Sequence, residues 1–227
     1  MKVNLFVLLP FYLVFIDAKS QDTTQSAQWE LEAGVAILFE DKRPLASVYS
    51  MKDDLVGDAF GNTFFISYEH NSRFFLRAGS VLGRAINSTV TEEFRQSSRL
   101  AQIQLGYSLY LPKYLDRLRF AFGYQFRISD YTLVYTSKPG GVAMPNALFS
   151  EYTDSYLLAS LKYDAAVPVG EKYKNVFFLP ARVGISLDFA RSIDNPQWSG
   201  LSRLSLPSGL SLTDYQLILG FGIIWSL

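Results

Sequence analysis

Residues 212 to 227 constrain this chain more than any other stretch. Tyr215, Leu217, Leu219, Phe221, Ile223, Trp225 and Leu227 form one apolar row at period two. The other row is Asp214, Gln216, Ile218, Gly220, Gly222, Ile224 and Ser226, small or polar at most positions. A period of two is that of a β-strand with two unlike faces. An apolar-faced strand this long has to be covered, so the rest of the chain is expected to supply strands of the same kind.

It does. Trp29, Leu31, Ala33, Val35, Ile37 and Phe39 alternate with Glu30, Glu32, Gly34, Ala36 and Leu38. Phe64, Ile66 and Tyr68 mark a second strand, and Phe74, Leu76, Ala78, Ser80 and Leu82 a third, after a turn at His70-Asn71-Ser72. The fourth runs from Ala101 to Leu111 and the fifth from Leu118 to Ile128. A sixth spans Tyr156 to Tyr163, a seventh Leu179 to Phe189, and the stretch already described is the eighth. The connections alternate: 41–61, 84–98, 129–152 and 190–211 read as long loops, while 70–72, 112–116 and 164–175 are shorter. The expected fold is all-β, an eight-stranded antiparallel up-and-down transmembrane β-barrel over residues 29–227. Closure follows from physics, since an open sheet edge in lipid leaves backbone groups unpaired at several kcal/mol each.

Residues 1–20 read as a cleaved signal peptide: Lys2, an apolar run from Val3 to Ile16, and Ala18-Lys19-Ser20 at the cleavage positions. Residues 21–28 are a polar lead-in. Lys plus Arg and Asp plus Glu each number 21, so net charge points to no nucleic-acid partner. Cysteine is absent and histidine occurs once, which excludes thiolate metal sites and leaves no cofactor expected.

Two barrels fit this pattern, a membrane barrel with its apolar face outward and a secreted lipocalin-like barrel with that face inward. The polar row decides. It carries Glu30, Glu32, Glu69, Asp188 and Asp214 against Arg77, Arg119, Arg127, Lys162 and Arg182, a balanced set able to pair inside a closed lumen. The apolar row is uncharged through the strand centres and places Trp29, Tyr68, Phe74, Phe120, Tyr163 and Trp225 near one end, as an aromatic girdle. Lipid is therefore expected outside. Counted from that end, Gly34, Gly79, Gly106, Gly123, Gly184 and Gly220 sit on the polar face at similar depth. The steric reason is that an eight-stranded lumen barely holds its side chains, so a level without them leaves room for long neighbours. A small water-filled or ligand-holding cavity is the other reading.

The chain resembles the small Gram-negative outer-membrane β-barrel proteins of the OmpX and OmpA transmembrane-domain type. The resemblance spans residues 29–227 and rests on the strand architecture and on the closing alternation of Gly222, Trp225 and Leu227, similar to the insertion signal of that group. It implies export to the outer membrane, with lipid and the barrel-insertion machinery as partners. It implies a structural or surface-interaction role through the outer loops. Related groups include a subunit of a protein-secretion machine (PorT-like), and a narrow channel for small solutes is a further alternative.

Catalytic chemistry is weakly supported. Acyl-transfer chemistry needs a histidine beside a serine or carboxylate, and His70 falls in a turn. Glu30 and Glu32 share a face with Arg77 and Arg119, which points to ion pairs rather than acid–base work. Asp53, Asp54 and Asp58 lack the spacing of a calcium loop. No catalytic or metal residue is assigned. Tyr131, Phe149, Trp198 and Leu204 are apolar for outward loops and are expected either to touch a partner, such as another envelope protein, or to fold over one another.

Overall fold

The computed structural model describes residues 27–40, 58–88, 92–111, 116–135, 146–166, 181–193, 197–200 and 215–227. Nine strands cover nearly all of these: β1 (Gln28–Glu40), β2 (Ala59–Glu69), β3 (Phe74–Ser88), β4 (Glu92–Leu111), β5 (Asp116–Tyr135), β6 (Asn146–Ala166), β7 (Ala181–Ser192), β8 (Gln197–Gly200) and β9 (Tyr215–Ser226). All pairs are antiparallel, each long strand bonds to the next, and β9 returns to β1. The eight long strands close the barrel, and β8 is a short addition to β6 above the place where β7 takes over.

The register sets the geometry. Leu38 pairs with Ile218, and the ladder continues through Asp188, Ser160, Ala121, Gly106, Phe75 and Glu69 to Gln28. One circuit thus returns to β1 ten residues away. Such a stagger accompanies strand tilts of roughly 35–45°. The seam is as regular as the rest: Glu30 to Glu40 pair with Ser226 to Gln216, and the Leu227 amide donates to the Trp29 carbonyl at 2.8 Å.

The alternation read from the sequence separates the two faces. Glu30, Glu32, Arg77, Arg119, Gln125 and Lys162 are buried inside, while Val35, Phe64, Leu105, Phe122 and Leu157 are exposed outside. Trp29 meets Tyr68 with ring centroids 4.9 Å apart, and Phe74 meets Tyr107 at 5.3 Å. These rings mark the girdle. His70 and Arg73 close the tight turn there, with Arg73 left-handed at φ 67°.

The loops at the opposite end need correction. Strand β2 begins at Ala59, inside the expected loop 41–61. β3 and β4 run on to Ser88 and from Glu92, which leaves three residues of the expected loop 84–98 between them. β5 reaches Tyr135 and β6 begins at Asn146, so most of 129–152 is strand. Part of 190–211 is β7 and β8. The reason is that strand pairing continues past the level where the outward face has to be apolar, so the ladder persists after the hydrophobic alternation has faded. Residues 1–26 and the start of the seventh strand at Leu179 lie outside the described residues.

Candidate functional site

Among the described residues, buried charge accumulates on the inner wall. Arg117, near the start of β5, is fully buried. Its Nη1 donates to Glu30 at 2.7 Å and to Glu69 at 3.1 Å, and its Nη2 to Asp164 at 2.9 Å. Arg119, two residues on and hence on the same face, also donates to Glu30, reaches Glu69 at 3.2 Å, and lies over the Phe75 ring. Ser108 and Tyr110 of β4 donate to Glu69 at 2.8 and 2.5 Å. One level higher, Arg77 donates to Glu32 at 2.9 Å and Lys162 donates to the same oxygen at 2.5 Å. Four cations (Arg77, Arg117, Arg119, Lys162) thus meet four carboxylates (Glu30, Glu32, Glu69, Asp164), brought together from five strands. Balance is required, because a charge taken out of water costs several kcal/mol unless it is paired and hydrogen-bonded.

From Arg77 a line of amides climbs the lumen. Arg77 Nη1 donates to Gln104 Oε1 at 3.1 Å, Gln104 to Gln102 at 3.1 Å, Gln102 to Gln125 at 2.8 Å, Gln125 to Gln216 at 2.6 Å, and Gln216 to Glu40 at 2.6 Å. Every amide donates in the same sense, from a cation at one end to a carboxylate at the other, and aligned bonds of this kind polarise one another. Glu40 is also held by Arg127 at 2.8 Å, whose remaining bonds go to Ser129 and Tyr131 at 2.7 Å each. Ala36, Leu38, Ala59, Phe65, Val81, Ala85, Leu100 and Ile218 form a buried apolar cluster in the same part of the lumen. A void of about 10 Å³ bordered by Arg77, Arg119 and Lys162 has room for one water molecule.

Among the residues expected to pair, Glu30, Glu32, Arg77, Arg119 and Lys162 come together in the lower network, and Arg127 in the upper one. Asp188 does not join: it accepts from Ser160 at 2.5 Å and makes no ion pair among the described residues. Arg182 is half-buried and likewise makes no ion pair among the described residues. Asp214 lies outside them. Arg117, Asp164 and Glu40 are pairing partners beyond the set expected from the sequence. The signal for them is parity: Arg117 shares the face of Arg119, Asp164 that of Lys162, and Glu40 that of Glu30.

The glycines divide in two. Eight steps climb ten residues, so equal height drifts by about 1.25 residues per strand. With that drift Gly34, Gly79, Gly123 and Gly220 share a level, and Gly106 and Gly184 lie about three residues nearer the girdle. The Phe75 ring lies over Gly106, the Phe65 ring over Gly79, and Lys162 over Gly184. Backbone stands close as well: a Cβ would lie 2.0 Å from the carbonyl oxygen of Phe221 at Gly34 and of Ile103 at Gly123, 2.2 Å from that of Phe64 at Gly79 and 2.3 Å from that of Phe120 at Gly106.

The four residues assigned to partner contact fare differently. Tyr131 is no loop residue: it lies on β5, points inward and is buried in a stack with Phe94, because it shares the parity of Arg127. The backbones of Phe149 and Trp198 pair with Thr132 and Tyr152. Leu204 lies outside the described residues. At the seam Trp225 and Leu227 sit on the outward row, and Gly222 pairs with Gly34 and Gly184. His70 sits exposed in its turn, its Nδ1 2.9 Å from Ser72 Oγ.

Among solved structures the chain is similar to a major outer membrane protein of Thermus thermophilus, with 11% identity over 89% of this chain and 100% of that one, at a TM-score of 0.52. The fold is that of an outer-membrane barrel. Ail, the attachment invasion locus protein of Yersinia pestis, aligns over 89% of this chain and 100% of its own with 10% identity and a TM-score of 0.46. Neisserial surface protein A aligns over 89% and 98% with 13% identity and a TM-score of 0.41. No family model and no curated protein matches the sequence.

Proposed function

We propose that this chain is a non-enzymatic integral outer-membrane barrel, closed to solutes, that acts as a structural or surface-interaction protein at the end opposite the girdle. The observation that carries this reading is the filling of the lumen. Among the described residues, salt bridges, the glutamine line and the apolar cluster succeed one another up the lumen from Glu30 to Arg127, and the void beside Arg77, Arg119 and Lys162 is about 10 Å³, room for one water molecule. On this reading a barrel so filled offers no transport path, and its exposed work falls to the strand ends that rise beyond the lipid. β4, β5 and β6, at 20, 20 and 21 residues, are about twice the ~9–11 residues that a tilted crossing needs.

Purified barrel incorporated in a planar bilayer tests the closed lumen. No steady ionic current is expected at moderate voltage. A reproducible unitary conductance from the unmodified chain would overturn the reading and favour the narrow channel. Mild-detergent extraction with identification of co-purifying proteins tests the other half, and stoichiometric recovery of secretion components would make the chain a subunit of that machine.

A further inference from the structure

The outward face loses its apolar character at a defined height. Starting from the girdle, Phe74, Leu76, Ala78, Ser80 and Leu82 climb β3 without charge, and the next outward residue is Arg84. On β4 the row Leu109, Tyr107, Leu105, Ile103 and Ala101 ends at Arg99. Phe74 and Arg84 are ten residues apart. At ~3.3 Å per residue and a tilt near 40° that is roughly 25 Å of height, the thickness of the apolar band of such barrels. Arg84 and Arg99 therefore stand at the far membrane boundary, on the lipid side of the wall.

The register groups them. Arg84 pairs with Ser97, which makes Arg95 and Arg99 its two diagonal neighbours on the outward face, with Cβ atoms about 7–8 Å away. Two carboxylates stand close by. Glu93 holds Arg95 in an ion pair, and Asp130 lies 3.8 Å from the largely exposed Arg99. Arg84 has no ion pair among the described residues, and Leu82 and Ile86 flank it on its own strand, both more than half exposed. Arg191, at a similar height on β7, lies over its neighbour Tyr215 instead, with 5.9 Å between guanidinium and ring centroid.

We propose that Arg84, Arg99 and Arg95 form a binding site for the phosphate of an anionic lipid headgroup in the leaflet opposite the girdle. Guanidinium groups bind phosphate oxygens in bidentate fashion, and the apolar flank supplies a surface for the acyl chains of the same lipid. The placement singles out a lipid over a soluble anion, since acyl chains and phosphate of one molecule meet the wall at that height. The inference rests on the outer-membrane reading above, and the test separates the two.

Wild type and the Arg84→Gln/Arg99→Gln variant are reconstituted in phosphatidylcholine nanodiscs doped with bisphosphorylated lipid A or with its dephosphorylated form. Lipid retained on release is counted by native mass spectrometry. Wild type is expected to retain the phosphorylated form alone, with retention falling on the order of tenfold in the double variant. An Arg191→Gln control should match wild type. Equal retention of both lipid forms by wild type, or unchanged retention by the double variant, overturns the site. Exposed side chains are altered throughout, and unchanged heat-modifiable gel mobility confirms folding. Envelope fractionation reads the location independently, so a chain absent from the outer membrane that still retained the phosphorylated lipid would sink the location and leave the site standing.

Discussion

Arg117 illustrates what a single residue does in this wall. It has no apolar substitute, because its guanidinium joins Glu30, Glu69 and Asp164 from three different strands. Truncation would leave three buried carboxylates short of a partner, and breaking a buried pair costs about 3–5 kcal/mol. Arg117→Ala is therefore expected to lower the urea midpoint of unfolding in detergent, followed by tryptophan fluorescence, and Arg119→Ala to do the same more mildly. A midpoint identical to wild type in both would show that the network is ornamental. Gly123→Ala acts through a different cause. Its Cβ would meet the Ile103 carbonyl oxygen at 2.0 Å, a clash with backbone rather than with a flexible side chain. The β4–β5 pair has to part for a methyl group, so reduced yield of the heat-modifiable folded band is expected. Gly184→Ala, which meets the end of Lys162, should be tolerated better.

At the scale of the element, the sequence announces a strand wherever lipid and lumen impose opposite demands on its two faces. Trp29 to Phe39 and Tyr215 to Leu227 are legible residue by residue for that reason. Above the membrane boundary both faces become polar or mixed, as in Glu93 to Ser98, and the period-two signal fades while the hydrogen-bond ladder continues to Ser88 on β3 and from Glu92 on β4. Ion-pair partners are hidden differently: Arg117 sits at the start of β5, beside a stretch whose composition resembles a loop. The parity rule places it, since it stands two residues from Arg119. This difference between loop and ladder is measurable. In hydrogen exchange, amides of 93–99 and 128–134 that face a ladder partner should be protected, as those of 101–107 are. Exchange within seconds across 93–99 would restore the loop.

At the scale of the whole molecule, the proposed closure of the lumen rests on stacking rather than on any one plug. The lower layer is the four-against-four ion network, the middle layer is the glutamine line beside Leu38, Phe65, Leu100 and Ile218, and the upper layer is Arg127 with Glu40 and Tyr131. The ion networks lie at the two ends, and the glutamine line runs between them from Arg77 to Glu40. On the closed-lumen proposal the three act in series, so that removing one leaves the other two in place. Gln125→Ala cuts the amide line between Gln102 and Gln216 without touching a charge. It is expected to remain silent in a planar bilayer, as is Arg127→Ala alone. Combined substitution in all layers, Arg119→Ala with Gln125→Ala and Arg127→Ala, is expected to give measurable conductance if the barrel still folds, which its gel mobility reports. A current from Gln125→Ala alone would locate the whole barrier at the glutamine line and make the ion networks structural supports for that single gate.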